Sequence, residues 1–260
     1  MKIAVCQMEI IQGDKNINRV TAERMITEAA QNGAQVVVLP EMWTSGYDFA
    51  QLDQHKEPLE GSTYQFLSEI AGKQNVWVVG GSHPVEFPEG VRNTTLTFNP
   101  KGELQNIYSK VHLIGLMAED QYLVPGTDCH VFDLDGHLAA VEICYDIRFP
   151  ELARSYAVEG AKILFIPAEW PIQREDHWVA LLRARAIENQ MFVVGVNTSG
   201  KNENDVFNGH SMIIDPWGKT IAEAGSDSTI LYCDVDLDLV TSVRERMPVF
   251  KDRRPSVYKL

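Results

Sequence analysis

The chain has 260 residues, a length at which it can form one large domain or two small ones. Apolar residues make up 45% of the sequence and charged residues 23%, which are ordinary proportions for a globular protein and exclude wholesale disorder. The formal net charge of −13 would repel a phosphate backbone or an anionic lipid surface. Nucleic acid and membranes are therefore excluded as general partners.

The four cysteines are spread along the chain and form no C-x-x-C pair: Cys6, Cys129, Cys144 and Cys233. Neither a zinc knuckle nor a thioredoxin-type motif is predicted. No apolar run reaches the roughly 18 residues of a transmembrane helix, and the apolar run at the start is too short for a secretory signal. We therefore expect a cytoplasmic protein with free thiols, one of which could be a nucleophile.

Apolar, β-rich runs alternate with amphipathic segments in both halves of the chain. In the first half the pattern predicts strands at 2–8, 35–39 and 76–80, helices at 17–30 and 61–73, and a hairpin of 93–98 with 103–108. In the second half it predicts strands at 137–143, 161–166 and 191–197, helices at 150–159 and 174–189, and a hairpin of 210–215 with 219–223. A last strand at 230–235 and a helix at 237–246 follow.

The two halves follow one plan, and each hairpin turn pairs a proline with a glycine, in Asn99-Pro100-Lys101-Gly102 and Asp215-Pro216-Trp217-Gly218. This repetition predicts an α/β protein, a four-layer α-β-β-α sandwich of two stacked mixed sheets. We expect a single domain over 1–260, with an irregular tail from about 247. A single doubly wound sheet is the alternative, and the two hairpins fit it poorly.

Chemically active side chains follow three of the predicted strands: Glu41, Lys110 and Cys144. Ligands of such sheets collect beyond the carboxyl ends of strands. Each residue alone is unremarkable, because charged residues are mostly exposed and a free cysteine is usually packing. Together they suggest a thiol nucleophile, a carboxylate that takes its proton and an ammonium that stabilises an oxyanion. A selectively reactive thiol of this kind is expected to have a depressed pKa.

At these residues the sequence resembles the nitrilase superfamily of carbon–nitrogen hydrolases. The matching segments stand in family order and cover the chain from residue 1 to about 250. They are Leu39-Pro40-Glu41-Met42-Trp43, Tyr108-Ser109-Lys110-Val111-His112-Leu113, residues 142–151 (EICYDIRFPE), Ala168-Glu169-Trp170-Pro171, residues 183–190 (RARAIENQ), Gly209-His210-Ser211 and Asp215-Pro216-Trp217-Gly218.

The resemblance implies the α-β-β-α sandwich and a Glu-Lys-Cys catalytic set. It makes Glu41 the general base, Lys110 the oxyanion stabiliser and Cys144 the nucleophile. A second family glutamate, which positions the amide, corresponds to Glu119, and the backbone N–H of Tyr145 would be the second oxyanion donor. This chemistry needs no metal and no organic cofactor.

Within the superfamily, residues 40–47, 144–151 and 168–171 resemble the omega-amidase group. This resemblance implies hydrolysis of the terminal amide of short ω-amides of dicarboxylates, such as 2-oxoglutaramate, through a cysteine thioester. A nitrilase, a carbamoylase or a general aliphatic amidase on the same triad stays open, because nitriles and amides form similar thiol adducts. A non-enzymatic binding or signalling module is a further alternative. The family usually forms homodimers, and we expect one here.

An anionic substrate on an acidic protein requires a local cation other than Lys110, and Arg148 or Arg174 is expected to supply it. The full set of substrate-pocket candidates lies in loops after strands: Met42, Tyr47, Arg148, Trp170 and Arg174.

Other conspicuous side chains have simpler interpretations. Arg148 could instead pair with Glu151 and fix its loop. Arg185 and Glu188 fit an ion pair on a helix surface. The histidines His112, His177 and His210 lack the spacing of metal ligands and are predicted to be structural.

Overall fold

A computed structural model describes residues 1–202 and 204–258 of the chain. Its strands are β1 (Lys2–Gln7), β2 (Val36–Val38), β3 (Glu57–Pro58), β4 (Trp77–Val79), β5 (His83–Phe87), β6 (Gly90–Phe98), β7 (Leu104–Ser109), β8 (Phe132–Leu134), β9 (His137–Val141), β10 (Ile163–Pro167), β11 (Phe192–Val196), β12 (Ser199–Lys201), β13 (Val206–Asn208), β14 (Met212–Ile214), β15 (Thr220–Glu223) and β16 (Thr229–Asp234). Its α-helices are α1 (Lys15–Gln31), α2 (Leu52–His55), α3 (Ser62–Gln74), α4 (Glu119–Tyr122), α5 (Pro150–Glu159), α6 (Glu175–Asn189), α7 (Asp238–Arg246) and α8 (Val249–Asp252).

Two mixed sheets form the centre of the fold. The first has the order β16-β1-β2-β4-β6-β5-β3, with β7 paired to the other edge of β6, and the second has the order β15-β14-β11-β10-β9-β8. In each sheet a parallel core is flanked by antiparallel strands. The strands β12 and β13 pair antiparallel with each other as a small hairpin apart from the two sheets.

The alternation of side chains along β1 shows how the layers stack. Ile3 and Val5 belong to an apolar cluster shared with the second sheet, whereas Ala4 and Cys6 belong to a cluster shared with α1 and α3. Because successive strand residues point to opposite faces, one strand separates a sheet–sheet core from a sheet–helix core. The helical side of that outer core comes from Ala22, Met25, Ile26 and Ala29 of α1 and Phe66, Leu67, Ile70 and Ala71 of α3.

The second sheet carries α5 and α6 on its outer face. Tyr156 of α5 and Leu182 of α6 are fully buried in the cluster that contains β9, β10 and β11. The helix α5 begins at Pro150 and ends before Gly160, whose φ of +107° suits a glycine after the last turn. The predicted α-β-β-α sandwich is therefore confirmed, with helices outside two face-to-face sheets. Among the described helices, none combines the length and apolar character needed to cross a bilayer.

The strand β16 joins the first sheet rather than the second. Its residues Thr229–Asp234 pair antiparallel with Lys2–Gln7 of β1. The sequence predicts this strand but not its partner. It also does not predict the strands β3, β5 and β8 or the β12–β13 hairpin, which are short or interrupted by polar and glycine residues.

Candidate active site

The three residues predicted to carry the chemistry lie at one edge of the sandwich, beyond the ends of β2, β7 and β9. Glu41 and Lys110 are completely buried, and Cys144 is 4% exposed. Cys144 has φ = +47°, and Met42, which follows Glu41, has φ = +45°. A positive φ is strained for a side chain other than glycine and is typical of sharp functional turns.

The Lys110 ammonium joins the two glutamates of the site. Its Nζ is 2.8 Å from Oε1 of Glu41 and 2.7 Å from Oε2 of Glu119. Glu119 is the first residue of α4 and follows Ala118, which has φ = +59°. Its Oε2 also accepts a hydrogen bond of 2.9 Å from the backbone N–H of Ile114. The structure therefore brings Glu41, Lys110 and Glu119 into direct contact, which are three of the four side chains that the family resemblance assigns to the site.

The Glu41 carboxylate is held by further donors. Oε1 accepts hydrogen bonds from the Tyr47 hydroxyl (2.8 Å) and from Nδ2 of Asn93 (2.9 Å). Oε2 accepts from the backbone N–H of Glu169 at 2.9 Å. A carboxylate with this many donors is fixed in orientation.

Burial and neighbouring charges set the protonation of the site. Burial by itself lowers the pKa of the Lys110 ammonium, but the carboxylates of Glu119 and Glu41 outweigh it and raise the pKa above its ordinary value. Burial raises the pKa of the Glu119 carboxyl, with Lys110 opposing that rise and the charge of Glu41 adding to it. Lys110 is therefore a permanent cation between the two glutamates.

The pKa of the Cys144 thiol is raised well above its ordinary value, first by burial and then by the charge of Glu41, against the opposing effect of Lys110. The charges of Glu41, Lys110 and Glu119 all act on this buried thiol. The expectation of a depressed thiol pKa is therefore wrong. Cys144 therefore rests as a protonated thiol in this site.

Asp146 ties the nucleophile turn to the loop that carries Lys110. The turn is a 3₁₀ helix over Cys144–Arg148, and Asp146 is completely buried in it. One carboxylate oxygen accepts from the Tyr108 hydroxyl (2.6 Å) and the backbone N–H of Ile143 (3.0 Å). The other accepts from the backbone N–H and ring Nδ1 of His112 at 2.9 and 2.8 Å. One carboxylate thus fixes the Cys144–Arg148 turn relative to the Lys110 loop.

Arg185 holds the same turn from the side of α6. Its Nε and Nη2 donate to the carbonyl of Ile147 at 2.9 and 2.6 Å, and its Nη1 contacts Glu188 at 2.7 Å. The residue is only 4% exposed. The predicted ion pair of Arg185 with Glu188 is present, but its predicted place on the helix surface is wrong, because the guanidinium is buried against the Cys144–Arg148 turn.

The Arg148 guanidinium lies over two aromatic rings near the nucleophile. Its Cζ is 4.7 Å from the ring centroid of Trp170 and 5.8 Å from that of Tyr145. Both terminal nitrogens are 3.3 Å from Nδ1 of His177. Within residues 1–202 and 204–258, no carboxylate lies within ion-pair distance of Arg148, so the alternative pairing with Glu151 is not observed.

Three other pocket candidates occupy different positions. Arg174 is half-buried, and its carbonyl accepts a hydrogen bond of 2.7 Å from the indole N–H of Trp170. Met42 is 1% exposed and packs with Phe49. Tyr47 reaches both Glu41 and Glu119, at 2.8 and 3.2 Å.

The predicted second oxyanion donor has a suitable place in the turn. Tyr145 precedes the first backbone hydrogen bond of the 3₁₀ helix, which runs from the N–H of Asp146 to the carbonyl of Ile143. Its own N–H has no acceptor within the helix for this reason.

The part of the chain that the structure describes contains no group of three or more metal-ligating side chains.

Sequence reasoning did not identify Asn93 and Asp146. Asn93 is a fully buried amide inside β6, and a polar residue within a strand of buried residues was the available signal. Asp146 lies inside the segment that carries the family resemblance, but its hydrogen-bond partners come from residues 108–112. Only the fold brings those segments together.

The fold agrees with comparisons to known proteins. The carbon-nitrogen hydrolase family model matches residues 2–245. The chain is 43% identical to the 2-oxoglutaramate amidase of Bacillus subtilis, covering 98% of each chain, and 36% identical to an omega-amidase of Danio rerio, covering 100% of this chain and 96% of the other. The crystal structure of Saccharomyces cerevisiae Nit3, a member of branch 10 of the nitrilase superfamily, superposes with a TM-score of 0.91 at 34% identity, covering 98% and 96% of the two chains.

These similarities define an α/β hydrolytic enzyme of the nitrilase superfamily. The chain belongs to the carbon–nitrogen hydrolase family, as the sequence resemblance predicts.

Proposed function

We propose that this protein hydrolyses the terminal amide of short ω-amides of dicarboxylates, such as 2-oxoglutaramate, to ammonia and the acid. The observation that carries the proposal is the geometry around Lys110, whose ammonium bridges Glu41 and Glu119, with the buried Cys144 thiol under the electrostatic influence of all three charges. The similarity to a 2-oxoglutaramate amidase and to omega-amidases supports the choice of substrate class.

The first half of the reaction forms a thioester. Glu41 takes the proton of the Cys144 thiol as the sulfur attacks the amide carbon. The carbonyl oxygen becomes an oxyanion that the Lys110 ammonium and the backbone N–H of Tyr145 stabilise. The protonated Glu41 then gives its proton to the amide nitrogen, the C–N bond breaks, and ammonia leaves.

The second half hydrolyses the thioester. Water enters the place of the ammonia, Glu41 takes one of its protons, and the resulting hydroxide attacks the acyl carbon. The C–S bond breaks, and the Cys144 sulfur regains the proton from Glu41 as the acid is released. Glu119, held by Lys110 and the N–H of Ile114, supplies an acceptor for the amide N–H groups.

Arg148 is the cation that we assign to the distal carboxylate of the substrate. Its guanidinium lies over Trp170 and Tyr145, and no carboxylate among the described residues neutralises it. A free cation beside the nucleophile turn offsets the global charge of −13 for an anionic substrate. Arg174 is the alternative cation, and Met42, Tyr47 and Trp170 complete the proposed pocket.

The test is an ammonia-release assay on the purified protein with 2-oxoglutaramate, a neutral aliphatic amide, an aliphatic nitrile and an N-carbamoyl amino acid. We expect the ω-amide to have the highest kcat/KM. Hydrolysis of the neutral amide, the nitrile or the carbamoyl compound without turnover of 2-oxoglutaramate would overturn the substrate assignment.

A pair of arginine variants tests the cation. Arg148→Gln should raise KM for 2-oxoglutaramate about 10-fold to 100-fold, the effect of losing one charge-assisted contact. The KM of a neutral aliphatic amide should change little, because it has no carboxylate. Arg174→Gln is the matched comparison, and a larger effect of Arg174→Gln would transfer the assignment to that residue.

The proposal extends to assembly and compartment. We propose a homodimer with one domain over 1–260 in the cytoplasm, and the four cysteines, all free, suit a reducing compartment. A mass near twice 29.2 kDa by light scattering and a single unfolding transition are the expected results. A monomer at micromolar concentration would contradict the assembly.

A further inference from the structure

Asn93 contacts three of the four residues of the proposed catalytic set. It lies in β6, completely buried, opposite the point where β7 ends. Its Nδ2 is 2.9 Å from Oε1 of Glu41 and 3.3 Å from Oε1 of Glu119. Its carbonyl accepts a hydrogen bond of 2.8 Å from the backbone N–H of Lys110. The side chain and the backbone of one residue thus hold different parts of the site.

The amide orientation of Asn93 follows from its neighbours. Both groups near Nδ2 are carboxylate oxygens, which only accept hydrogen bonds, so the NH₂ end must face them. The Oδ1 end is buried and has no hydrogen-bond partner among the described residues. Burying an unpartnered acceptor is unfavourable, and an apolar residue of similar volume would avoid it. Asn93 is therefore poorly explained as packing alone.

An amide NH₂ can donate to both carboxylates at the same time. Tyr47 also reaches Glu41 and Glu119, but a hydroxyl has one proton and donates to one acceptor at a time. Apart from the Lys110 ammonium, Asn93 is the side chain in the described part of the protein that can bridge the pair with two protons. Two nearby carboxylates repel, and one of them takes up a proton when the groups that stabilise their charges are removed.

We propose that Asn93 is a positioning residue that holds Glu41 and Glu119 together in the ionised state and sets the acid limit of the reaction. The inference rests on the proposed function, because it assigns to Asn93 the task of keeping the general base able to accept a proton. The titratable groups that face the pair are Tyr47, Lys110, Cys144 and Glu169.

Two substitutions test the proposal. Asn93→Ala removes both donors without adding charge, and Asn93→Asp keeps the shape but replaces the NH₂ with an oxygen. For either variant we expect kcat to fall about 10-fold to 100-fold with KM within about 3-fold of wild type, since the ground-state contacts to substrate remain. The acid limb of the kcat/KM profile should move up by about one pH unit.

Thr95→Val is the matched control. Thr95 lies on the same strand, two residues further along, so its side chain points to the same face, and its buried hydroxyl has no partner among the described residues. The substitution conserves shape and leaves Glu41 and Glu119 untouched, so it should preserve kcat and the pH profile. The same shift of the acid limb in Thr95→Val and Asn93→Ala would overturn the proposal, because it would reflect general loosening of β6.

A substrate-free readout separates this inference from the proposed function. The rate of alkylation of Cys144 by iodoacetamide, followed against pH by mass spectrometry, depends on Glu41 as the acceptor of the thiol proton. We expect the pH at which the alkylation rate rises to be higher in Asn93→Ala than in wild type and unchanged in Thr95→Val. If the wild type hydrolyses no ω-amide, the proposed function fails while this comparison still decides the role of Asn93. An unchanged alkylation profile and an unchanged acid limb in a folded Asn93→Ala would refute it.

Discussion

Glu142 offers a sensitive test of the electrostatics of this fold, because it is a buried acid next to the nucleophile turn. It is completely buried, and neither of its carboxyl oxygens has a hydrogen-bond partner among the described residues. Burial, and after it the charge of Asp146, raises the pKa of the Glu142 carboxyl well above its ordinary value, while Arg185 lowers it only in part. The folded protein therefore favours the protonated acid.

The sign of the pH dependence follows from this shift. An unfolded glutamate ionises with a pKa of about 4.3, so folding takes up a proton at any pH between that value and the raised pKa. Stability is then greatest below the ordinary pKa and falls as the pH rises towards the raised one. The slope that Glu142 contributes is at most about 1.4 kcal/mol per pH unit in that window.

Glu142→Gln removes the titration while keeping the shape of the side chain. Urea unfolding of wild type and variant at about pH 5, 6, 7 and 8 should show the smallest difference between their free energies of unfolding at the lowest pH. The variant should gain stability over the wild type as the pH rises, by at most about 1.4 kcal/mol per pH unit while the pH stays below the raised pKa. Glu23→Gln, at an exposed site on α1, controls for the loss of one negative charge from the chain.

Parallel curves for wild type and Glu142→Gln would refute the reasoning, because the slope difference isolates the titration of this one group. If the parallel curve of the variant also lay at lower stability, it would show in addition that the carboxyl makes a contact that glutamine cannot reproduce.

Four further perturbations address the site and its loops. Cys144→Ala and Cys144→Ser should abolish ammonia release from a folded protein, and wild-type-like activity of the alanine variant would show that another group is the nucleophile. Lys110→Ala should lower kcat about 10²-fold to 10³-fold, as the loss of one oxyanion donor does; a smaller change in a folded variant would argue against that role. Asp146→Asn leaves two of the four groups that donate to this side chain without an acceptor. The free energy of unfolding, measured in urea, should therefore fall by about 2–5 kcal/mol. An unchanged urea midpoint would contradict this expectation. Gly81→Ala would place a Cβ 2.1 Å from the backbone carbonyl oxygen of Pro40, so it should lower both the free energy of unfolding and kcat. Gly33→Ala is the control, because Gly33 also has a positive φ but a Cβ there would have no atom within 4 Å. This control should lose only the stability that the backbone strain costs.

The regular elements were largely predictable from local pattern. The helix α5 has the predicted bounds 150–159, because a proline at its start and a glycine after its end are signals within the segment itself. The hairpins around Asn99–Gly102 and Asp215–Gly218 likewise follow from their turn residues. The β12–β13 hairpin was missed because its strands are short, with Gly200 inside one of them.

Pairing between distant strands was not predictable. The partner of β16 is β1, at the other end of the chain, and no local pattern indicates which sheet a last strand will join. The residues of β16 themselves determine that this segment forms a strand. Which strand it pairs with depends on the sheet edge that the rest of the fold leaves open.

For the site, the sequence determined the chemistry and the tertiary structure decided the environment. Glu41, Lys110, Cys144 and Glu119 were predicted as site residues from their segments, and the same segments indicated the family. The raised pKa of the Cys144 thiol is set by how deeply the fold buries it.

The contacts of the supporting residues were likewise decided by the tertiary structure. The hydrogen bonds of Asn93 and Asp146 and the burial of Arg185 against the nucleophile turn join residues that are 26 to 52 positions apart in the chain. Desolvation and hydrogen bonding act over a few ångströms in space, so a sequence can specify which groups react but leaves their protonation and orientation to the packing around them.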